Sequence, residues 1–150
     1  ARNLIRWGVS DATTPAALLD DLTAELQYLQ SAAPERIDTT LLIHPFVLTD
    51  FADYNAFLDP AESVLSELGL DGVIQLASFH PQYQFDGESP EASSHFTNRS
   101  PYPMIHFLRE DMMERLLQEF PNPQKIPQRN IETLQAITTE ELQRRLDNLL

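Results

Sequence analysis

Apolar runs of the chain alternate with amphipathic segments, a pattern typical of strands and helices that follow one another. The strand-like runs are Leu4–Val9, Thr39–Phe46 and Gly72–Phe79. Between the first two, four leucines recur at helical spacing and predict a buried stripe: Leu18, Leu22, Leu26 and Leu29. Thr14 caps this helix, Pro15 fits its first turn, and Pro34 ends it.

The segment between the second and third runs predicts two helical pieces. The first covers residues 50–58. The second begins at Asp59-Pro60, where an aspartate can cap and a proline fits the first helical position, and it ends at Gly69. A helix between two strands acts as a crossover, so the strands on either side of it should run parallel.

The second half of the chain predicts mostly loop and helix. Residues 81–98 form a long polar loop, in which a fourth strand could lie hidden. Ser100-Pro101 should cap and start a helix that continues to Glu119. A proline-rich connector over 121–130, a short helix from Ile131 and a last helix from Thr138 would follow.

This order of elements predicts a single α/β domain over residues 1–150. We expect a small, mainly parallel sheet of three to four strands with crossover helices and a C-terminal helical extension. Right-handed crossovers would place the helices on one face of that sheet.

Two of the strand-like runs end in the same dipeptide, His44-Pro45 and His80-Pro81. Because parallel strands end at the same edge of a sheet, both imidazoles should lie where open α/β sheets bind ligands. A third imidazole, from His95 or His106, would complete a three-nitrogen metal site for Zn, Fe or Cu, with nearby aspartates as a fourth ligand. The competing interpretation is that each histidine only caps a turn by bonding a backbone carbonyl.

The segment around Arg99 predicts an anion pocket. If a helix starts at Ser100, its free N–H groups and the guanidinium would face the same ligand, with Asn98 and Tyr102 adding hydrogen bonds. His106 would lie one turn beyond Tyr102, where it could act as a general base together with His44 and His80. Alternatively, Arg99 pairs with Asp53 or Asp86 and only holds the loop down.

The charge and composition of the chain restrict the classes of partner that we expect it to bind. The chain has a net charge of −13, and residues 1–106 hold four arginines against fifteen acidic residues, a net charge of −11. No Lys or Arg occurs between Ile37 and Asn98, so nucleic acid and anionic membranes are disfavoured as partners. There is no cysteine, no apolar run long enough to cross a membrane, and no leader peptide at the start, so we expect a cytoplasmic protein.

Three strings of the sequence resemble a known family: LLIHPFVLTDFADYNAFLD, GLDGVIQLASFHPQYQFDGE and HFTNRSPYPMIHFLRE. They are similar to the family of bacterial and plant proteins called domain of unknown function 1415, DUF1415, and the resemblance covers nearly the whole chain. It implies no established activity. Members of that family usually carry a further N-terminal segment with a Leu-Cys-Pro-Phe string, which could supply another sheet element.

Two functions are therefore expected from different classes. The first is a small enzyme-like domain that uses His44, His80 and His106, with a small anion held by Asn98, Arg99, Ser100 and Tyr102. The second is a non-catalytic module that binds a small anion or a protein, with the histidines in structural roles. Clustered, accessible histidines would favour the enzyme, and an open Arg99 pocket without them would favour the binding module.

Overall fold

The computed structural model describes residues 4–150 as a four-stranded sheet, two long helices and a helical C-terminal part. The strands are β1 (Ile5–Val9), β2 (Thr39–Ile43), β3 (Ile74–Phe79) and β4 (Met104–Arg109). The α-helices are α1 (Pro15–Ser31), α2 (Phe51–Glu67), α3 (Glu110–Gln118), α4 (Ile126–Gln135) and α5 (Thr139–Asp147). Two 3₁₀ turns lie at Ser93–Asn98 and Pro123–Lys125.

The sheet is mixed, which corrects the prediction of a mainly parallel one. Its strand order is β1-β2-β4-β3, with β1 parallel to β2 and β4 antiparallel to both of its neighbours. The α/β class, the crossover helices and the helical C-terminal part are confirmed. The observed four strands lie within the predicted three to four, but the fourth follows the long loop instead of lying within residues 81–98.

The segment after Arg99 shows why β4 was mistaken for helix. Ile105 and Phe107 alternate into the core while His106 points to the opposite face, the two-residue period of a strand. A proline at 103 also disfavours helical backbone at Tyr102. The predicted helix Ser100–Glu119 is therefore wrong, and α3 begins only after the strand.

Both long helices lie on one face of the sheet, as right-handed crossovers predict. The four leucines of α1 are fully buried against the inward residues of the strands, such as Leu42 and Phe107. α2 contributes Tyr54, Phe57, Ala61 and Leu65 to the same core. α2 is one continuous helix instead of two pieces. Pro60 has no N–H for the carbonyl four residues before it, but both groups lie on the exposed side of the helix, where water can replace the lost hydrogen bond.

Arg109 joins the sheet to the end of α1. Its guanidinium is nearly buried and donates to the backbone oxygens of Leu29, Ala32 and Ile37 at 2.8–3.2 Å. A cation at this position complements the negative end of the helix dipole and satisfies carbonyls that the helix leaves open.

The C-terminal part is more helical than the sequence predicts. Much of the 121–130 connector is a 3₁₀ turn followed by the start of α4, five residues earlier than expected. α4 and α5 pack against the 3₁₀ turn at Ser93–Asn98. Within residues 4–150, no helix has both the length and the apolar character needed to cross a membrane.

Candidate functional site

The two His-Pro ends lie at the same edge of the sheet, as predicted. Ile43 at the end of β2 and Phe79 at the end of β3 both pair with Met104, the first residue of β4. His44 and His80 therefore flank the start of β4 from its two sides. Their backbone N–H groups donate to the chain that enters this strand, at Pro103 O and Asn98 O.

Both imidazoles hold the same short loop, residues 47–48, between β2 and α2. His44 donates from Nδ1 to Val47 O at 3.1 Å, and His80 donates from Nε2 to Leu48 O at 3.0 Å. The second nitrogen of His80 accepts from the N–H of Gln82 at 3.0 Å. Leu48 has a φ of 58°, a conformation that costs free energy for a side chain of its size, and the two histidine bonds help to hold it there.

Tyr54 lies between the two histidine rings. Its ring centroid is 5.8 Å from that of His44 and 5.0 Å from that of His80. Its hydroxyl accepts from the N–H of Phe79 at 3.0 Å and donates to Met104 O at 2.8 Å. The hydroxyl thus joins the end of β3 to the start of β4, and we call His44, Tyr54 and His80 the aromatic latch.

Burial keeps the latch neutral. Both histidines are fully buried, and this desolvation lowers the pKa of each below its usual value. A charge on His80 would lower the pKa of His44 further. Burial raises the pKa of Tyr54. Within residues 4–150, Nε2 of His44 has no hydrogen-bond partner, so one acceptor of the latch is unused there.

His95, the third predicted metal ligand, stabilises the long loop. Its Nδ1 accepts from the N–H of Phe85 at 3.0 Å, and its Nε2 donates to Ser89 O at 2.7 Å. The ring is fully buried and stacks on Phe85, at 6.0 Å between centroids. Across the described residues 4–150, no three His, Asp or Glu side chains converge as a metal site would require.

His106 lies on the outer face of the sheet, so the predicted helical pairing with Tyr102 does not exist. Its Nε2 contacts the Thr39 hydroxyl on β2 at 2.5 Å. That hydroxyl already donates to Phe107 O, so His106 must be the donor in this contact. Burial lowers the pKa of His106 as well.

The four residues of the predicted anion pocket separate into different roles. Asn98 donates to Ser78 O at 2.9 Å and fixes the loop to β3. Ser100 is buried and donates to Tyr102 O at 2.6 Å, so its hydroxyl shapes the turn before β4. No helix begins here, and the expected helix N-terminus is therefore absent from the pocket.

Arg99 retains the features of an anion ligand. Its Nε donates to Tyr83 O at 3.2 Å, and its guanidinium lies 4.4 Å above the centre of the Phe96 ring. The predicted alternative, a pair with Asp53 or Asp86, is not formed: ion pairs in residues 4–150 involve Arg6, Arg144 and Arg145. Burial without an acidic partner lowers the pKa of Arg99, although a guanidinium stays charged.

Arg99 lines a cavity of about 270 Å³ between the long loop and α5. The loop contributes Pro81, Gln82, Gln84, Ser100 and Pro101, and the C-terminal part contributes Gln143, Leu146, Asp147 and Leu150. The wall thus offers one cation, three amides and one carboxylate. Gln143 donates to that carboxylate, on Asp147, at 2.8 Å.

The sequence reasoning missed two parts of this region. No sequence signal singles out Tyr54, because its role depends on two histidines that become its neighbours only in the folded structure. The contribution of α5 to the cavity wall also has no sequence signal, although the apolar face of that helix, at Leu142, Leu146 and Leu149, indicates docking on its own domain.

Comparison with known proteins identifies the family but no activity. The family model described as a protein of unknown function, DUF1415, matches residues 1–144. No curated protein and no solved structure gives a significant match to the chain. The long resemblance in sequence is thus confirmed, and this chain belongs to the DUF1415 family.

Proposed function

We propose that this domain binds a small anion in the Arg99 cavity. The observation that carries the proposal is a half-buried guanidinium that lacks an acidic partner among residues 4–150 while lining a cavity. Burying a charge without a partner costs free energy, and a bound anion would recover it. The contacts to Tyr83 and Phe96 orient the fork of the guanidinium, so little side-chain entropy is lost on binding.

The lining of the Arg99 cavity favours a ligand with a single negative charge, and a carboxylate fits this cavity best. The chain already carries a net charge of −13, and Asp147 contributes a negative charge to the wall itself, so a second charge on the ligand would be repelled. A guanidinium binds a carboxylate through two parallel hydrogen bonds. The three glutamine amides can bond the remaining polar groups of the ligand. The volume is slightly below the usual range for ligand pockets, so the ligand is small.

The geometry favours this binding function over the enzyme-like alternative. The nitrogens of His80 and His95 are occupied by backbone groups, and both histidines of the aromatic latch are fully buried. A general base must reach the proton that it removes, and a ring bonded on both sides is poorly placed to do so. We therefore assign His44, His80 and His95 structural roles in this proposal.

Binding of acetate and of inorganic phosphate, measured by isothermal titration calorimetry at constant ionic strength, tests the proposal. One bidentate contact in a partly open cavity should give a dissociation constant of about 1 mM for acetate. Phosphate should bind more weakly than acetate. Arg99→Gln should abolish saturable binding, and Arg99→Lys should weaken it because an ammonium lacks the planar fork.

Arg36→Gln is the matched control. Arg36 is exposed and forms no ion pair within the described residues, so this change removes the same charge elsewhere on the surface. It should leave acetate binding unchanged. Equal binding by the Arg99→Gln and unaltered proteins would refute the assignment of the site. Absence of saturable binding of either anion would refute the proposed function.

A further inference from the structure

The outer face of the sheet carries no charged side chain. The register places twelve residues on it: Ile5, Trp7 and Val9 of β1, Thr39, Leu41 and Ile43 of β2, Met104, His106 and Leu108 of β4, and Gln75, Ala77 and Phe79 of β3. In the whole chain, 22% of residues are charged. α1 and α2 both lie on the other face, and Trp7 and Val9 are 61% and 66% exposed.

A second apolar surface lies on α3. Its apolar positions fall on one side of the helix, and none of them is buried: Met112, Met113, Leu116, Leu117 and, just after the helix, Phe120. The opposite side holds Glu110, Asp111, Glu114, Arg115 and Gln118. An apolar stripe on an amphipathic helix normally packs against another surface, but within residues 4–150 the stripe of α3 is left unburied.

The junction between β4 and α3 keeps α3 from covering its own sheet. α3 begins at Glu110, directly after the last strand residue, so no linker exists that could fold the helix back. The N–H of Glu110 donates to Val73 O at 2.9 Å and fixes the first turn beside the start of β3. α3 is therefore held at this end of the sheet, and a second molecule can bring the two apolar surfaces together.

We propose that two copies of this chain form a symmetric dimer in which α3 of each copy packs on the outer sheet face of the other. α3 is about 14 Å long, and a five-residue strand is about 17 Å long, so the helix can lie along the strands. A helix about 10 Å wide covers roughly two strands. The exposed large apolar residues of this face all lie on β1, so β1 and its neighbour β2 are the expected site of contact.

Charge restricts a second copy to the outer sheet face. Each chain carries a net charge of −13, so most contacts between two copies would bring acidic groups together. The outer sheet face avoids this because it has no acidic residue, and the charged side of α3 would remain in solvent. The contact also supplies the second helical layer that this sheet lacks, since α/β sheets commonly carry helices on both faces.

Sedimentation equilibrium of the 150-residue chain tests the dimer. Contacts of this size lie at the low end for specific interfaces, so we expect a dissociation constant of about 10–100 µM. Trp7→Glu on the sheet and Leu116→Glu on the helix should each weaken dimerisation at least about tenfold, because each would bury a charge. Val9→Glu repeats the sheet test if the Trp7 variant is unstable.

The matched control is Phe46→Glu, which introduces the same charge at a residue that is 62% exposed and lies away from both surfaces. It should dimerise like the unaltered chain. Mixing the Trp7 and Leu116 variants should partly restore association, because one of the two helix-on-sheet contacts is intact in the mixed pair. A chain that stays monomeric up to about 1 mM would overturn the proposal. A dimer that is insensitive to Leu116→Glu would also overturn the proposal, because α3 would then not take part in the interface.

Discussion

Replacing Tyr54 with phenylalanine tests the aromatic latch at a single atom. The ring would keep its volume and its contacts with His44 and His80, whereas the hydroxyl that joins β3 to β4 would be lost. The N–H of Phe79 and the carbonyl of Met104 would then lack their partner. No cavity larger than one oxygen atom is created, so the effect reports almost only on hydrogen bonding.

The expected loss of unfolding free energy follows from these two unsatisfied backbone groups. Leaving a buried donor or acceptor unsatisfied costs about 1–3 kcal/mol. Phe79 and Met104 are partly exposed, so water can compensate in part, and we expect a loss of about 2–4 kcal/mol in unfolding free energy. For a domain of this size, this corresponds to a fall in Tm of about 6–12 °C.

Urea unfolding followed by circular dichroism measures this loss. Tyr28→Phe is the control, because Tyr28 is exposed and its ring contact with Arg6 survives the change. The control should stay within about 0.5 kcal/mol of the unaltered protein. If Tyr54→Phe is equally mild, the Tyr54 hydroxyl does not join the two strands, and its assigned role in the aromatic latch is refuted.

Three further changes probe the scaffold around the site. Arg109→Gln should lower the unfolding free energy by about 3 kcal/mol or more, because carbonyls at the end of α1 lose a charged donor; a loss below about 1 kcal/mol in urea would contradict this role. The lowered pKa values of His44 and His80 mean that the unfolded chain binds more protons, so stability should be complete above pH of about 6.5 and fall as the pH drops below it. Urea unfolding at several pH values checks this, and a stability that rises on acidification would contradict the sign. His95→Phe should keep the stack on Phe85 but release that residue's N–H, so its amide should exchange faster with solvent; unchanged exchange would show that the imidazole is not its acceptor.

The first half of the fold could be predicted from sequence because its signals are local. The stripe from Leu18 to Leu29 and the cap at Thr14 define α1 without help from the rest of the molecule. Because α2 is a crossover helix, the ends of β2 and β3 are expected at the same edge, and the register confirms this. Local spacing and the parallel direction imposed by a crossover helix are sufficient for this prediction.

The second half depends on contacts distant in sequence. Met104–Arg109 has few helix-breaking residues, and its conformation is decided by pairing with β2 and β3. A strand inserted between two parallel strands also changes the sheet from parallel to mixed. The wall of the Arg99 cavity depends on α5, more than forty residues further along the chain, and no local pattern could place it there.

The side-chain Nε–H signal of Arg99, followed by ¹H–¹⁵N NMR during titration with acetate, tests the central claim most directly. This proton is held by Tyr83 O, so it should give an observable signal in the free protein. We predict a saturable shift with a midpoint of about 1 mM acetate, with no comparable change for Arg36. A linear or absent response of Arg99 would show that its guanidinium does not bind the anion, and would contradict the proposed function.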